Sequence, residues 1–151
     1  MTVSTIVLDS PILGIVTNPK ASPENLPCRA WLDALLENGR RVVLPEIADY
    51  EVRRELLRAR RVEGLARLDA IVEVLDYRPL TTAMMRLAAQ MWAEVRQRGR
   101  PTSDPHAIDA DVILSAQALL AGAAREDLVV ATTNIGHLSL FVPVAGWRSI
   151  G

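Results

Sequence analysis

Short apolar runs alternate along this chain with stretches in which apolar residues recur every three or four positions. Thr5-Ile-Val-Leu8 stops at Asp9, and Val42-Val43-Leu44 stops at Pro45. Ile71-Val-Glu-Val-Leu75, Leu128-Val-Val-Ala-Thr132 and a weaker segment from Leu140 to Val144 complete the set. Runs this short and this continuously apolar predict strands of a parallel sheet covered on both faces. Between them, Cys28, Trp31, Leu32, Leu35 and Leu36 form one helical stripe, and Val52, Leu56 and Ala59 form another after Pro45. Met84, Leu87, Ala88, Met91, Trp92 and Val95 make the clearest amphipathic helix, and Val112, Ile113, Ala116, Leu119 and Leu120 the last. Gly39, Gly64, Gly99 and Gly122 follow these stripes, where a residue at positive φ closes a final turn, and Pro101 lies beyond the third. Pro45 suits the first position of its helix. The order β-α-β-α-β-α-α-β-β predicts an α/β fold, a three-layer α/β/α sandwich with a mostly parallel sheet of four to five strands.

Composition narrows the class. A chain of 151 residues with 50% hydrophobic content can bury a core and is the size of one domain, expected to span residues 1–151. Its 17 basic and 18 acidic residues nearly cancel, which argues against a bulk polycationic nucleic-acid binder while leaving room for a local basic face. The single cysteine, Cys28, excludes an internal disulfide and a cysteine-based zinc site, and its place on an apolar stripe reads as core. The first nine residues lack the basic start of a signal peptide. Leu128 to Trp147 is uncharged for the length of a membrane span, but its polar residues, proline and glycines read as strand, turn, strand. The expectation is a cytoplasmic protein with no membrane attachment.

Ligands of open α/β sheets bind beyond the carboxyl ends of the strands. Asp9 follows the first strand, and Glu51 lies about one and a half turns into the helix after the second. Asp109 and Asp111 open the helix leading to the fourth, and Thr133 and Asn134 follow that strand. Carboxylates gathered on one rim raise each other's pKa unless a cation neutralises them. Oxygen-only donors favour Mg²⁺ or Mn²⁺ over zinc, and such ions, held by carboxylates and substrate phosphate, suit phosphodiester hydrolysis.

Four stretches carry a family resemblance: Val7-Leu-Asp-Ser10, Leu44-Pro-Glu-Ile-Ala-Asp-Tyr-Glu-Val52, Asp109-Ala-Asp-Val-Ile-Leu-Ser-Ala-Gln-Ala118 and Val130-Ala-Thr-Thr-Asn-Ile-Gly-His137. In this order they resemble PIN domains, particularly the VapC-like branch, over essentially the whole chain. The resemblance implies a metal-dependent endoribonuclease with an acidic quartet, in which Asp9, Glu51 and Asp111 match the first three acids. The fourth position falls on Asn134, an amide, which brings no charge for a second metal. Asp9, Glu51, Asp111 and Asn134 are thus the catalytic candidates, with Asp109 a further metal ligand, directly or through water. Ser10, Thr133, Arg53 and Arg54 are the substrate-binding candidates. The resemblance also implies a homodimer and an antitoxin partner, the chain being the toxin half of a toxin–antitoxin pair.

Blander readings compete at each position. Asp9 could simply end a strand. Glu51 competes with Glu46 and Asp49, which suit a helix N-terminus, and with Glu55, which could pair with Arg58 or Arg53. Asp111 could serve the helix dipole and Asp109 could be an N-cap. Thr133 and Asn134 could form a turn. His137 could touch a phosphate, act as a general acid or be structural, and His106 reads as loop. Sixteen of the seventeen basic residues are arginine, six of them between Arg53 and Arg67, facing only Glu55 and Glu63. That cluster is either a solvated helix face or a guanidinium surface for RNA phosphates or an acidic partner. With only 4% aromatic residues, base stacking along an extended strand is poorly supported. A binding module that keeps the scaffold without cutting is the rival reading, carried by Asn134. A phosphatase with an Asp-x-Asp nucleophile is disfavoured because position 11 is proline.

Overall fold

The computed structural model describes residues 2–99 and 107–151, with Ala107 and Ile108 described by their backbone only. Pro101, Pro105 and His106 lie outside the described residues. Five strands form one sheet in the order β3-β2-β1-β4-β5, and every pairing in it is parallel. They are β1 (Thr5–Leu8), β2 (Arg41–Pro45), β3 (Asp76–Arg78), β4 (Leu128–Ala131) and β5 (Val144–Ala145). Seven helices accompany them among the described residues: α1 (Ser10–Thr17), α2 (Asn25–Glu37), α3 (Glu46–Arg58), α4 (Val62–Val74), α5 (Thr82–Gln97), α6 (Ala107–Leu119) and α7 (Ile135–Leu138).

Every residue of β1 and of β4 is buried. Because alternate side chains of a strand point to opposite faces, this requires cover on both sides of the sheet. Helices α1 to α4 pack on one another, α5 packs on α6, and α3 meets both groups. The chain moves outward from β1 through β2 to β3, then returns to the other side of β1 for β4 and β5. The strand order therefore reverses between β1 and β4, and the crevice at their carboxyl ends is where such sheets receive ligands.

Several expected elements differ. Ile71–Leu75 is not a strand: Leu68, Ile71, Val72 and Leu75 carry a helical stripe, and α4 runs to Val74. The third strand is the polar Asp76–Arg78, a half-buried edge strand paired with β2, whose Asp76 is bridged by Arg41 of β2 and whose Tyr77 packs against the core. A helix was not foreseen at Ser10–Thr17, although Asp9 caps it and Pro11 occupies its first turn. The short α7 was also missed. Pro45 ends β2 with extended backbone (ψ 140°), so the helix starts one residue later at Glu46.

Gly39, Gly99 and Gly122 do have positive φ. Gly64 does not close a helix; it sits inside α4, where an added Cβ would come within 2.8 Å of Leu56 Cδ2, so its lack of a side chain lets α4 approach α3. The corner between those helices is turned instead by Arg60, at φ 54°. Cys28 is buried, as its stripe implied, and burial pushes its thiol up to about 11.

Candidate active site at the carboxyl edge of the sheet

Asp9 is the first residue beyond β1. Its backbone N–H continues the ladder to Ala131 O at 3.1 Å, which seats the residue beside the end of β4. As N-cap of α1, its Oδ1 accepts the Ser10 N–H at 2.8 Å, and its Oδ2 accepts the Thr132 hydroxyl at 2.6 Å. Burial pushes the Asp9 carboxyl above its usual range, while these two donors pull it back. A carboxylate has about four lone-pair positions, so two accepted bonds leave outward-facing capacity.

Glu51 reaches the same crevice from α3. The structure separates it from its three competitors on that helix. Glu46 accepts the Leu80 N–H at 2.8 Å, Asp49 is bonded by Arg53 at 3.1 Å and Tyr77 Oη at 2.8 Å, and Glu55 pairs with Arg58 at 2.9 Å. Those acids serve the fold. The Glu51 carboxyl is raised chiefly by burial, then by the charge of Asp9 and more weakly by that of Asp111, with Arg54 and the Ser10 hydroxyl acting against the rise.

Asp111 arrives on α6 with its side chain 15% exposed. Burial, then the charge of Asp9, raises it to about 6, and His137 offsets part of this. His137 Nδ1 stands 3.7 Å from Asp111 Oδ2, contributed by α7. Helix α6 starts at Ala107, so Asp109 lies within its first turn rather than capping it. Two residues along a helix is a rotation of about 200°, and Asp109 is exposed on a different side from Asp111.

Thr133 is exposed and Asn134 half-buried at the start of α7. The Asn134 N–H donates to Thr132 Oγ1 at 2.8 Å, so one hydroxyl joins the turn after β4 to Asp9. Sequence reading passed over Thr132. The available signal was register: Leu8 pairs with Ala131, so the next residues, Asp9 and Thr132, must be neighbours. It also passed over Gln117 of α6, fully buried, whose Oε1 accepts the Ile47 N–H at 3.0 Å and whose Nε2 donates to Arg78 O at 2.8 Å. Gln117 thereby ties the helix bearing Asp111 to the first turn of the helix bearing Glu51.

Glu51 and Asp111 each feel the charge of Asp9 across the crevice, and Glu51 more weakly that of Asp111. Among the described residues, however, no three His, Cys, Asp or Glu side chains close into a metal-holding cluster. The rim is open, and what it offers is carboxylate oxygen whose charge Arg54 and His137 offset only in part. That donor set fits a hard cation which keeps several of its own waters, as Mg²⁺ does, better than an ion needing a dry four-ligand cage.

A groove of about 1060 Å³ leads away from Ser10 and Glu51 between α1 and the α3–α4 corner, lined in part by Lys20, Arg54, Arg60 and Arg61. Arg54 also stands 5.1 Å from the Tyr50 ring. Arg53 does not line this groove; its guanidinium bridges Asp49 at 3.1 Å and Asp69 at 2.8 Å, tying α3 to α4.

No helix among the described residues is long and apolar enough to cross a membrane. No protein-family model matches the chain, and no curated protein matches it in sequence. Solved structures do match in fold. VapBC2 from Rickettsia felis, bound to a DNA fragment from its promoter, aligns with TM-score 0.71 and 16% identity over 95% of this chain and 98% of that one. FitAcB from Neisseria gonorrhoeae aligns with TM-score 0.68 and 22% identity over 96% and 99%. VapBC-1 from nontypeable Haemophilus influenzae aligns with TM-score 0.66 and 13% identity over 95% and 98%. The all-parallel five-stranded sheet and its helices, matched nearly end to end in these structures, give this chain the PIN-like fold that its four motifs predicted.

Proposed function

We propose that this protein is a Mg²⁺- or Mn²⁺-dependent endoribonuclease. The observation that carries the reading is the convergence of Asp9, Glu51 and Asp111, from three separate elements, on the crevice where the strand order reverses. There burial raises all three carboxyls, and the charge of Asp9 raises Glu51 and Asp111 further, so a cation bound among them would relieve both costs. Such a cation, when bound, polarises a phosphodiester and lowers the pKa of its own water. Asp9 and Asp111 would hold it, with Glu51 beside them and Asn134 and Asp109 contributing amide oxygen or water-mediated contacts. Thr132 and Ser10 fix the orientation of Asp9 before substrate arrives. Arg54 stands at the junction of the acidic rim and the groove, where a guanidinium can hold a phosphate while Glu51 faces the reacting group. Thr133, exposed at the lip, is the remaining polar contact for the strand, and Arg53 acts behind Arg54 through the α3–α4 ion pairs.

The similar solved structures are toxin–antitoxin complexes, which supports a toxin role here with an antitoxin protein as partner; a homodimer in the cytoplasm completes the proposal. The test is cleavage of structured RNAs by purified protein with Mn²⁺, beside Asp9→Asn and an EDTA control. Equal cleavage by protein and variant would remove the mechanism.

Two observations favour a second reading, a PIN-fold module that binds RNA or protein without cutting. Asn134 stands in the fourth position, and the described acids do not close into a tight metal cage. Manganese calorimetry separates the two readings, because the module requires no binding heat that depends on Asp9 and Asp111.

A further inference from the structure

Four described residues have positive φ: Gly39, Gly99, Gly122 and Arg60. Left-handed backbone suits glycine, and a residue with a Cβ is strained there. Three of these corners thus carry the residue that backbone sterics favour, and the fourth carries an arginine. The corner itself is ordinary, with Arg60 N–H bonded to Leu57 O at 3.1 Å and Arg61 N–H to Leu56 O at 2.9 Å, closing α3 before α4 begins. Nothing in that closure requires a guanidinium.

What distinguishes the corner is where it stands. Gly39 and Gly122 precede β2 and β4, at the amino edge of the sheet, whereas Arg60 lines the groove that opens on Ser10 and Glu51. The charges of this groove do not cancel. Of its three acids, Glu51 belongs to the crevice and feels Arg54, while Glu55 and Glu63 lie against Arg58 and Arg67, at 2.9 and 3.9 Å, neither of which lines it. Lys20, Arg54, Arg60 and Arg61 form no ion pair among the described residues, and all four are exposed. A track of unpaired cations leading into an acidic crevice complements a polyanion whose one reacting phosphate is to be neutralised by a metal and whose other phosphates need the protein.

We propose that Arg60 is a phosphate-gripping residue, kept in a strained corner so that its guanidinium holds the RNA backbone in the groove beyond Glu51. The inference rests on the nuclease reading and adds the path of the strand. Residual strain at a binding position is retained when the side chain it displays is needed.

The experiment measures a fluorescein-labelled single-stranded RNA, kept intact by EDTA, binding to the full chain and to Arg60→Gly and Arg60→Lys across a salt series. Arg60→Gly is expected to keep or raise the Tm, by up to about 4 °C, because it relieves the backbone. It should nonetheless weaken binding several-fold and reduce the salt slope by about 0.7, one phosphate contact on a single strand. Arg60→Lys should keep the slope and the wild-type Tm. A corner that is only structural would give the first stability change with no change in affinity or slope, which overturns the proposal. Manganese-dependent cleavage together with Arg60-independent RNA affinity overturns it and leaves the nuclease reading standing, whereas a wild-type chain with no RNA affinity removes both. Binding of a labelled Asp/Glu-rich peptide that depends on Arg60, when RNA binding does not, would transfer the groove to an acidic protein segment.

Discussion

The Thr132 hydroxyl donates a 2.6 Å hydrogen bond to Asp9 Oδ2 while accepting the Asn134 N–H at 2.8 Å. One buried side chain at the end of β4 thereby orients the carboxylate at the end of β1 and the turn that carries Asn134. Removing the hydroxyl without changing the shape, in Thr132→Val, leaves Asp9 buried with one donor fewer. Groups that support metal ligands in this way are typically worth about 10–100-fold in metal affinity or activity. Calorimetric Mn²⁺ titration should show a loss in that range for Thr132→Val and near-full retention for Thr132→Ser. Wild-type affinity in the valine variant would mean that Asp9 holds its position unaided.

Asp111 gives a pH signature. Its carboxyl titrates near 6 in the folded chain, against 3.8 when unfolded. Between those values the folded state binds more protons, so this group costs stability at neutral pH and the cost disappears as pH falls through 6 toward 4. Asp9 and Glu51, also raised, act in the same direction. Asp111→Asn should therefore abolish cleavage yet keep or raise stability at pH 7.5, by on the order of 1–3 kcal/mol, read as an unchanged or higher thermal midpoint. The gain should shrink at pH 4.5 and be lost only below the unfolded value of 3.8. Thermal scans at the two pH values check this, and a variant that loses both fold and activity would instead make Asp111 a structural acid.

On the nuclease reading, the same buried acids predict that the wild-type protein responds to metal. A ligand bound only by the folded state stabilises by about 2.7 kcal/mol at a hundredfold excess over its Kd. Rising Mn²⁺ should raise the Tm of the wild-type chain progressively and leave that of Asp9→Asn almost unchanged. EDTA should reverse the shift. A Tm indifferent to Mn²⁺ would favour the non-cutting module.

Arg53 and Arg54 are adjacent in sequence and separable in function. Arg53→Ala strips one of the two partners from the Asp49 carboxylate, which is only 13% exposed, and breaks the link to Asp69. A destabilisation of about 1–3 kcal/mol is expected by urea unfolding, with RNA affinity reduced little. Arg54→Ala should do the opposite, weakening RNA binding with stability within about 0.5 kcal/mol of wild type. Identical profiles for the two would dissolve the distinction.

Gln117 gives a prediction on the joint between the acid-bearing helices. In Gln117→Leu the Ile47 N–H and the Arg78 carbonyl lose their buried partner, at a cost of roughly 1–3 kcal/mol each. Denaturant unfolding should register the loss. Mn²⁺ affinity of the residual folded protein should fall as well, because Glu51 and Asp111 are no longer held in common register.

Hydrophobic patterning determined much of this molecule. Thr5–Leu8 and Leu128–Ala131 announce themselves as strands because each is buried on both faces, and the acids and amide that follow strands announce the rim. The same criterion misplaced β3. Asp76–Arg78 is a half-buried edge strand bridged to β2 by Arg41, and Ile71–Leu75, although β-branched in part, belongs to a helix whose stripe it continues. Periodicity reads burial, and an edge strand has too little of it to leave a signal.

The site divides in the same way. That Asp9, Glu51 and Asp111 are available as donors is written in their residue types and spacing. That Glu51, rather than Glu46, Asp49 or Glu55, is left free is decided by Leu80, Tyr77, Arg53 and Arg58, partners between 3 and 34 residues away in sequence. Which arginines remain unpaired, and that one of them occupies a left-handed corner beside the crevice, are likewise facts of tertiary structure. Charges choose partners by distance in space, and only the folded chain sets those distances.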